Sequence, residues 1–299
     1  MIMIDKEYEV LFLILNYKTY QDTILLVREI MQFKYFGDKY GVLIVDNDSP
    51  NESWIQLRNN FAGEKGVFLL QNHENGGYAK GNNVGLYSMA HSSPKYVCII
   101  NNDVHFSENT IEHLIGMYEL LPNAGMIAPI QVLPNGNKVQ MSYKMPSLIA
   151  DLNSTLPINL LRNSYGEYQS NTQWPNVEKV DIIQGAFIFT NYSLFKSLGF
   201  FDDRTFLFCE ERICAFKMKK AKRNNYLILD CTYLHQHSLT ISSEASKMRQ
   251  RKYMLHGRLV YARYYRKFPL LCTNLLKLVY IISYPFVWIK YKLKSLVSG

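Results

Sequence analysis

Three polar residues, Asn101, Asn102 and Asp103, directly follow a short apolar run at residues 96–100. Such a run is typical of a buried strand, and ligands bind at the carboxyl ends of strands in open α/β sheets. We therefore expect Asp103 to hold a divalent cation, which would in turn hold the diphosphate of a ligand. The alternative is that Asn-Asn-Asp only turns the chain and caps the next helix, because both residue types are common in turns.

Two histidines are candidate partners for Asp103. His235 and His237 follow the last predicted strand. One carboxylate, one imidazole and two phosphate oxygens would complete an octahedral site for Mg²⁺ or Mn²⁺. The alternative is that both histidines are ordinary surface or core residues.

Two adjacent carboxylates, Glu210 and Glu211, open a helix predicted to end near Ala221. A carboxylate that faces a cleft can act as a general base. The helix dipole alone also favours acidic residues in a first turn, so a purely structural role is the alternative.

A glycine- and asparagine-rich segment at residues 75–83 reads Asn-Gly-Gly-Tyr-Ala-Lys-Gly-Asn-Asn. Glycines let the backbone approach a ligand closely, and the N-terminus of the helix that follows favours anions. The segment contains neither the Gly-Lys-Ser/Thr of a Walker loop nor the G-x-G-x-x-G spacing of a dinucleotide site. It is therefore either a ligand-contacting loop of another class or a bare turn.

The apolar patterning predicts a scaffold that would bring these residues together. Strand-like runs alternate with helical stretches, which indicates a mostly parallel central sheet with helices on both faces. Asn16, Asp46 and Asn72 each follow one of the first three strands, so with Asp103 they should line one sheet edge and a shared cleft. The predicted strands are residues 10–15, 42–45, 67–70, 96–100, 126–133, 180–190 and 226–229.

Asp46 is a candidate for nucleobase recognition at that edge. Its carboxylate could accept the ring N–H of a uracil or thymine, with Asn47 beside it. A helix cap combined with an Asx turn is the alternative for the same residue.

Composition excludes several classes of protein. The chain has 299 residues, of which 48% are hydrophobic and 19% charged, so it can bury a core and is not disordered. Its net charge of +8 suits nucleic acid, a membrane surface or phosphate-bearing substrates, but no nucleic-acid motif is present and we expect no such binding. Five cysteines without C-x-x-C spacing indicate free thiols in a reducing cytoplasm.

The two ends of the chain carry the predictions on membranes. The N-terminus does not have the pattern of a signal peptide, which predicts a cytoplasmic protein. Residues 244–299 form a predicted basic, aromatic helical tail after a domain at residues 1–243. The apolar core of this tail, residues 278–289, contains Pro285 and is too short to span a bilayer. We expect it to lie on the inner face of the plasma membrane, with Trp288 at headgroup depth; packing on the domain or in a homodimer is the alternative.

These pieces, in this order, resemble the family 2 glycosyltransferases of the GT-A fold, especially the bacterial rhamnosyltransferase-like branch. The resemblance covers about residues 10–240, while residues 134–178 show no readable motif and are expected to form loops and short helices on the acceptor side. The matching pieces are Asn16-Tyr17, Val45-Asp46-Asn47-Asp48-Ser49, the segment 75–83, Ile100-Asn101-Asn102-Asp103, Gly185-Ala186, Gly199-Phe200-Phe201-Asp202-Asp203, Glu210-Glu211, and His235 with the residues up to Ser238.

The resemblance implies a GT-A enzyme that transfers a sugar, with inversion, from a UDP- or dTDP-linked donor. The acceptor would be a hydroxyl of a lipid-linked saccharide or of an O-antigen- or capsule-type polysaccharide, and the cofactor Mg²⁺ or Mn²⁺. Asp103 would stand at the last position of the metal-binding D-x-D motif, and Glu211 at the catalytic base, beside Glu210. The implied nucleotide-sugar contacts are Asn16, Tyr17, Asp46, Asn75, Gly77, Asn83, Asn101, Asn102 and Gly185.

Three departures from the family pattern are visible. Asn101 replaces the first Asp of D-x-D, which leaves one carboxylate for the metal. The acidic pair is Glu-Glu, so the base would reach one methylene further than the Asp of the family. Arg212 follows the pair where the family usually has Asp. A saccharide- or nucleotide-sugar-binding module with a decayed site is therefore the alternative function.

Overall fold

A ten-stranded mixed sheet forms the centre of the computed structural model, which describes residues 7–90, 94–139, 142–156, 175–236 and 244–298. In chain order the strands are β1 (Val10–Asn16), β2 (Tyr40–Asp46), β3 (Val67–Gln71), β4 (Tyr96–Asn101), β5 (Val104–His105), β6 (Ala124–Val132), β7 (Lys138–Val139), β8 (Ser142–Tyr143), β9 (Val177–Val180), β10 (Ile182–Ile183), β11 (Phe187–Asn191) and β12 (Asn224–His235). The helices are α1 (Tyr20–Met31), α2 (Ser53–Phe61), α3 (Gly77–Ser88), α4 (Glu108–Leu120), α5 (Leu148–Thr155), α6 (Tyr192–Ser197), α7 (Glu210–Lys220), α8 (Glu244–Tyr265) and α9 (Pro269–Ser298).

Four parallel strands, in the order β3, β2, β1 and β4, make up the first half of the sheet. Strands β1, β2 and β4 are apolar on both faces because helices cover both sides and leave no face to water. Phe12 of β1 packs with residues of α1 and α4 on one side, and its neighbour Leu13 packs with residues of α3 on the other. The predicted fold class, a GT-A-type α/β sheet with helices on both faces, is confirmed.

The register aligns the polar strand ends. Asn16 is the partner of Asp46 in the ladder between β1 and β2, and Leu15 is the partner of Asn101 between β1 and β4. Asn72 follows the last residue of β3, which is itself paired with Asp46. Because parallel strands end at the same side of a sheet, the predicted common edge is present.

The second half of the sheet is mixed, which strand–helix alternation did not predict. Strand β11 lies between β4 and β6 and is antiparallel to both. The single strand predicted at residues 180–190 is instead β9, β10 and β11. Gly185 lies in the break because its N–H donates to the carboxylate of Glu211 and its carbonyl accepts from Tyr78, so neither group is used in a strand ladder.

Strand β12 continues beyond its predicted end at Leu229 to His235. A register shift against β6 between Ile228 and Thr232 accommodates the polar residues that ended the predicted strand. The end of β12 pairs with β5, where His235 is opposite Val104. His235 is therefore part of the sheet edge rather than of a following loop.

The two C-terminal helices pack on the rest of the structure. Val260 and Tyr261 of α8 form a small apolar cluster with Ile213 of α7. A Cβ added at Gly257 would lie 2.4 Å from the carbonyl oxygen of Phe208, so α8 also approaches the turn before α7 closely. The boundary between residues 243 and 244 stays a prediction, but α8 shares an apolar core with the helix that carries the acidic pair.

Helix α9 is continuous over 30 residues, with Pro285 inside it. Its segment Pro269–Lys290 is long and apolar enough to cross a membrane by length and composition, and most of that segment is exposed. The expectation that the tail is too short to span a bilayer is therefore wrong on length, because the helix continues through Lys277 and Pro285 where the apolar run is interrupted.

Candidate active site

Asp46 lies fully buried at the end of β2, where three hydrogen bonds orient its carboxylate. The side-chain amide of Asn16 and the hydroxyl of Ser49 both donate to Oδ1 at 2.7 Å, and the backbone N–H of Ser49 donates to Oδ2 at 3.1 Å. The contact with the Ser49 backbone reaches three residues on, one further than an Asx turn, and α2 begins only at Ser53, so Asp46 does not cap that helix. Asp46 is thus held rigidly at the cleft edge. Tyr17, which follows Asn16 at the end of β1, is 39% exposed.

The glycine-rich segment is braced by asparagines. Asn47 donates from Nδ2 to Oδ1 of Asn75 at 3.0 Å and to the carbonyl of Gly77 at 3.2 Å. The N–H of Gly77 also donates to Oδ1 of Asn75, at 3.0 Å. Helix α3 begins at Gly77, inside the segment 75–83 that was predicted to be a loop or a turn, so most of that segment is helical.

Gly77 occupies a position that only glycine fits. Its φ is +80°, and an added Cβ would lie 2.0 Å from the carbonyl oxygen of Phe206. That carbonyl accepts the N–H of Tyr78 at 2.8 Å, which joins the start of α3 to the segment before α7. The close approach explains the glycine without any ligand.

The Gly77→Ala variant is expected to lose about 3 kcal/mol of unfolding free energy, because alanine disfavours positive φ and its Cβ would displace Phe206. Urea denaturation measures this loss. Gly116→Ala in α4 is the matched control: an added Cβ there meets nothing within 4 Å, so helix propensity should raise stability by about 0.5–1 kcal/mol. Similar effects of the two substitutions would contradict the assignment.

Asn83 binds protein backbone in the structure. Its Nδ2 donates to the carbonyl of Phe201 at 3.1 Å, and the N–H of Phe201 donates to its Oδ1 at 3.1 Å. The side chain is 5% exposed. Asn83 therefore joins α3 to the loop after α6, and its predicted contact with the nucleotide stays a prediction.

Asp103 lies against His235 as the sequence predicted. Its Oδ1 is 3.1 Å from Nε2 of His235, and the two side chains are 13% and 6% exposed. The N–H of Gln236 donates to the backbone carbonyl of Asp103 at 2.9 Å, which reinforces the pairing of β5 with β12. His237 lies outside the described residues.

The two asparagines before Asp103 have different surroundings. Asn102 donates from Nδ2 to the hydroxyls of Thr19 and Thr23, at 2.7 and 2.9 Å, and so connects this turn to the start of α1. Asn101 donates its backbone N–H to the carbonyl of Ala186 at 3.0 Å.

Asp22, in the first turn of α1, is an acid that the sequence reasoning missed. Burial, followed by the negative charge of Asp103, raises the pKa of Asp22 above its ordinary value. The signal was available, because α1 begins four residues after the end of β1 and its first turn must lie near the cleft edge. Asp22 is therefore a second acid in the neighbourhood of Asp103.

These residues fit a divalent cation. A carboxylate oxygen and an imidazole nitrogen already lie together, a second acid is near, and oxygen-rich sets with imidazole suit Mg²⁺ and Mn²⁺. A second group of candidate ligands, His113, Asp230 and Cys231, has ligand atoms within 4.8 Å of one another. Burial raises the pKa of Cys231 to about 12, so its thiol is protonated at neutral pH unless a bound cation displaces the proton.

A strained turn positions the acidic pair. Phe208 and Cys209 both have positive φ, 74° and 73°, immediately before α7 begins at Glu210. Left-handed backbone at two consecutive non-glycine residues costs of order 1–3 kcal/mol each and is common at functional sites. The turn places Glu210 and Glu211 in different surroundings.

Glu210 is 2% exposed, whereas Glu211 lines a cavity of about 330 Å³ together with Gln184 and Arg212. Burial, and then the negative charge of Glu211, raises the pKa of Glu210 to about 8. Burial also raises the pKa of Glu211, although the N–H of Gly185, which donates to its Oε1 at 3.2 Å, opposes this. The pKa of about 8 favours the protonated form of Glu210 near neutral pH, and Glu211 is the acid of the pair that lines the cavity.

The raised pKa of Glu210 predicts a stability that depends on pH. Its pKa in the folded protein, about 8, exceeds its ordinary value of 4.5, so the folded state keeps a proton that the unfolded chain loses between these pH values. Stability from this group is complete below about pH 4 and is lost as the pH rises through 8. We expect the wild type to lose about 2–4 kcal/mol relative to Glu210→Gln between pH 5 and pH 8, because glutamine mimics the protonated acid.

Urea denaturation at several pH values measures this difference, with Glu64→Gln at an exposed position as the control. Parallel pH dependence of the wild type and Glu210→Gln would show that Glu210 titrates normally.

A short segment connects the two chemical centres. The N–H of Gly185 contacts Glu211, and the carbonyl of the next residue, Ala186, accepts the N–H of Asn101, two residues before Asp103. The hydroxyl of Tyr78 donates to the carbonyl of Gly185 at 2.7 Å. Glu211, the end of β4 at Asn101 and the start of α3 at Tyr78 therefore all contact Gly185–Ala186.

Arg212 has a structural partner that its sequence position did not indicate. Its Nη1 donates to both carboxylate oxygens of Asp151, each at 2.9 Å, and Asp151 is 2% exposed. Arg266 donates to the same carboxylate, and Nε of Arg258 lies 3.8 Å from it. Three guanidinium groups thus surround one acid, and helices α5, α7 and α8 meet there.

Comparisons of the sequence with known proteins show similarity to sugar transferases. The sequence model described as Glycosyl transferase family 2 matches residues 17–196. An N-acetylglucosaminyl-diphospho-decaprenol L-rhamnosyltransferase of Mycobacterium tuberculosis is 25% identical over 142 residues, which are 47% of this chain and 46% of that protein. A low-salt glycan biosynthesis hexosyltransferase of Haloferax volcanii is 26% identical over 220 residues, 73% of this chain and 63% of that one. The chain thus spans about half the length of the first relative.

Similarity of structure is broader than similarity of sequence. The crystal structure of GalNAc-T7 with UDP, GalNAc and Mn²⁺ superposes with a TM-score of 0.63 at 10% identity, over 88% of this chain and 49% of that one. At such identity the likeness concerns the fold alone.

Proposed function

Because the chain belongs to glycosyl transferase family 2, whose model covers more than half of it, we propose that it transfers a sugar from a nucleoside-diphosphate donor to an acceptor hydroxyl, with inversion. The observation that supports this most directly is that Gly185 contacts Glu211 while Ala186 contacts Asn101, two residues before the Asp103 that pairs with His235. A base for the acceptor and a cation site for the leaving diphosphate would then lie on either side of one short segment.

Glu211 is the proposed general base. Its carboxylate would take the proton of the acceptor hydroxyl while that oxygen bonds to the anomeric carbon and the bond from this carbon to the diphosphate breaks. A carboxylate with a raised pKa suits this role, because a base works best when its pKa lies near the working pH. The raised pKa of Glu210 favours its protonated form near neutral pH, which limits the repulsion that a second charge beside Glu211 would cause.

The donor would lie along the sheet edge. Asp46, oriented by Asn16 and Ser49, is the proposed acceptor for the ring N–H of a uracil or thymine, which favours UDP- or dTDP-linked sugars. Asp103 and His235 would hold the cation, Mg²⁺ or Mn²⁺. When bound, such an ion neutralises charge on a leaving diphosphate. The solved structure of GalNAc-T7 contains both UDP and Mn²⁺, which supports this donor class.

The acceptor is proposed to be a lipid-linked saccharide. The relative from Mycobacterium tuberculosis is named for a diphospho-decaprenol acceptor, and α9 presents exposed apolar side chains that suit a membrane surface. Bacterial surface polysaccharide synthesis at the inner face of the plasma membrane, of the O-antigen or capsule type, would use such an acceptor.

A thermal-shift screen of UDP-, dTDP- and GDP-sugars, with and without Mn²⁺, tests the proposed donor. Ligand binding to the folded state raises its melting temperature by mass action, so the correct donor should give the largest shift and should need the cation. Release of nucleoside diphosphate then tests transfer. Binding without release across a panel of acceptors would indicate a binding module instead of an enzyme.

A further inference from the structure

A second cavity, also of about 330 Å³, lies beside the one that Glu211 lines. The two cavities share Phe208 and Met254 in their walls, so they are neighbours along the start of α7 and the middle of α8. We call the second one the basic cavity, and the residues that matter for its chemistry are Lys247, Arg251, Arg258, Ser154 and Tyr280.

The basic cavity is positively charged. Three cationic side chains and no carboxylate are found among the described residues of its wall. The nearest acid shown by the ion pairs is Asp151, which lies 3.8 Å from Nε of Arg258 and already accepts from Arg212 and Arg266. The three cationic side chains of its described wall therefore give this cavity its basic character.

The chemistry of the wall suits a phosphate-bearing ligand. Arginine and lysine beside a hydroxyl are the side chains that bind phosphate oxygens through charge-assisted hydrogen bonds. Arg258 is 9% exposed and is held by a hydrogen bond of 2.8 Å to the hydroxyl of Thr155. Arg251 is held in turn by the carbonyl of Thr155 and the hydroxyl of Ser283. These cations are therefore ordered by α5 and α9 before any ligand arrives.

The basic cavity also adjoins apolar surface. Tyr280 of α9 lines it, and the next residues of the same helix, Ile281 and Ile282, are 68% and 57% exposed. Phe286 and Ile289 continue this exposed apolar surface, at 60% and 47%. A path outward from Glu211 thus passes first through the cavity that Glu211 lines, then through the basic cavity, and then along the apolar surface of α9.

We infer that the basic cavity binds the diphosphate of a lipid-diphosphate acceptor. The saccharide would pass Phe208 and Met254 to reach Glu211, and the hydrocarbon chain would leave along α9. The order of saccharide, diphosphate and hydrocarbon in such a molecule matches the order of the Glu211 cavity, the basic cavity and the apolar surface of α9. This assignment rests on the proposed function for the role of Glu211, but the binding of a lipid diphosphate can be measured without turnover.

Farnesyl diphosphate is the probe, titrated calorimetrically into the full-length chain. Lys247→Gln and Arg251→Gln should each weaken its binding by about tenfold, which corresponds to about 1.4 kcal/mol. Lys252→Gln removes one positive charge from an exposed position of the same helix, outside the cavity wall. It should change the affinity less than about twofold, since salt screens exposed charges. Farnesol should not compete, and the affinity for UDP should be unchanged in all three variants. Arg251 also hydrogen-bonds Thr155 and Ser283, so its substitution can destabilise the fold. If Arg251→Gln fails to fold, Lys247→Gln alone tests whether the basic cavity binds the diphosphate.

Three results would overturn the inference. Equal affinity of the wild type and Lys247→Gln for farnesyl diphosphate would show that Lys247 does not bind the diphosphate. A parallel loss of UDP affinity would assign the basic cavity to the donor. If Lys247→Gln lost binding to phosphatidylglycerol vesicles but kept its affinity for farnesyl diphosphate, the basic cavity would be a site for membrane headgroups. Absence of sugar transfer by the wild type would instead count against the proposed function. The binding measurements would still test the basic cavity, because they do not depend on turnover.

Discussion

Glu211→Gln is expected to lower kcat at least about 10³-fold with saturating donor and acceptor, because glutamine cannot take the proton of the acceptor hydroxyl. The fold should persist, since the amide oxygen can still accept the N–H of Gly185 that now donates to Oε1. Release of nucleoside diphosphate measures the loss, and urea denaturation shows that the protein is folded.

Two neighbouring variants make this prediction specific. Glu211→Asp restores the residue type that the family resemblance implies at the base and should retain a carboxylate function, with a loss nearer tenfold. Glu210→Gln mimics the protonated acid and should cost less activity than Glu211→Gln. If Glu210→Gln proved the more damaging of the two, the roles within the pair would have to be exchanged.

Asp103→Asn should abolish the response to divalent cations and reduce turnover at least about 10³-fold. The substitution keeps the size of the side chain but removes the carboxylate charge, which is the only charged group of the Asn101-Asn102-Asp103 turn. A cation bound by one carboxylate and one imidazole depends strongly on that charge. The melting-temperature shift caused by Mn²⁺ in the presence of the preferred donor should therefore disappear.

Asp38→Asn, at an exposed position away from any predicted site residue, is the control for loss of one acidic charge. It should leave the Mn²⁺ response intact. Metal-dependent turnover that survives in Asp103→Asn would move the cation to other ligands, of which His113, Asp230 and Cys231 are the described group to test next.

Much of the site could be predicted because it depends on strand ends. Asn16, Asp46 and Asp103 each follow an apolar run, and parallel topology brings such positions to one edge whatever the details of packing. The pairing of Asp103 with His235 followed from the same logic, although β12 reaches His235 rather than stopping before it.

Other predictions depended on local composition, which can reflect contact either with a ligand or with another segment of the protein. The glycines and asparagines at residues 75–83 resemble a ligand loop, yet Gly77 is required by the carbonyl of Phe206 and Asn83 binds the backbone of Phe201. Sequence spacing cannot distinguish a backbone that approaches a ligand from a backbone that approaches another segment, since both exclude a Cβ.

The sequence alone determined the alternation of strands and helices, the polar edge of the sheet and the family, because these depend on local periodicity and on residues next to strand ends. Only the tertiary structure decided that Glu211 rather than Glu210 faces a cavity, that Asp22 lies near Asp103, and that Arg212 joins Arg258 and Arg266 around Asp151. These contacts join residues far apart in the chain. Their distances depend on how helices pack and on the strained turn at Phe208 and Cys209, neither of which has a periodic signal in the sequence.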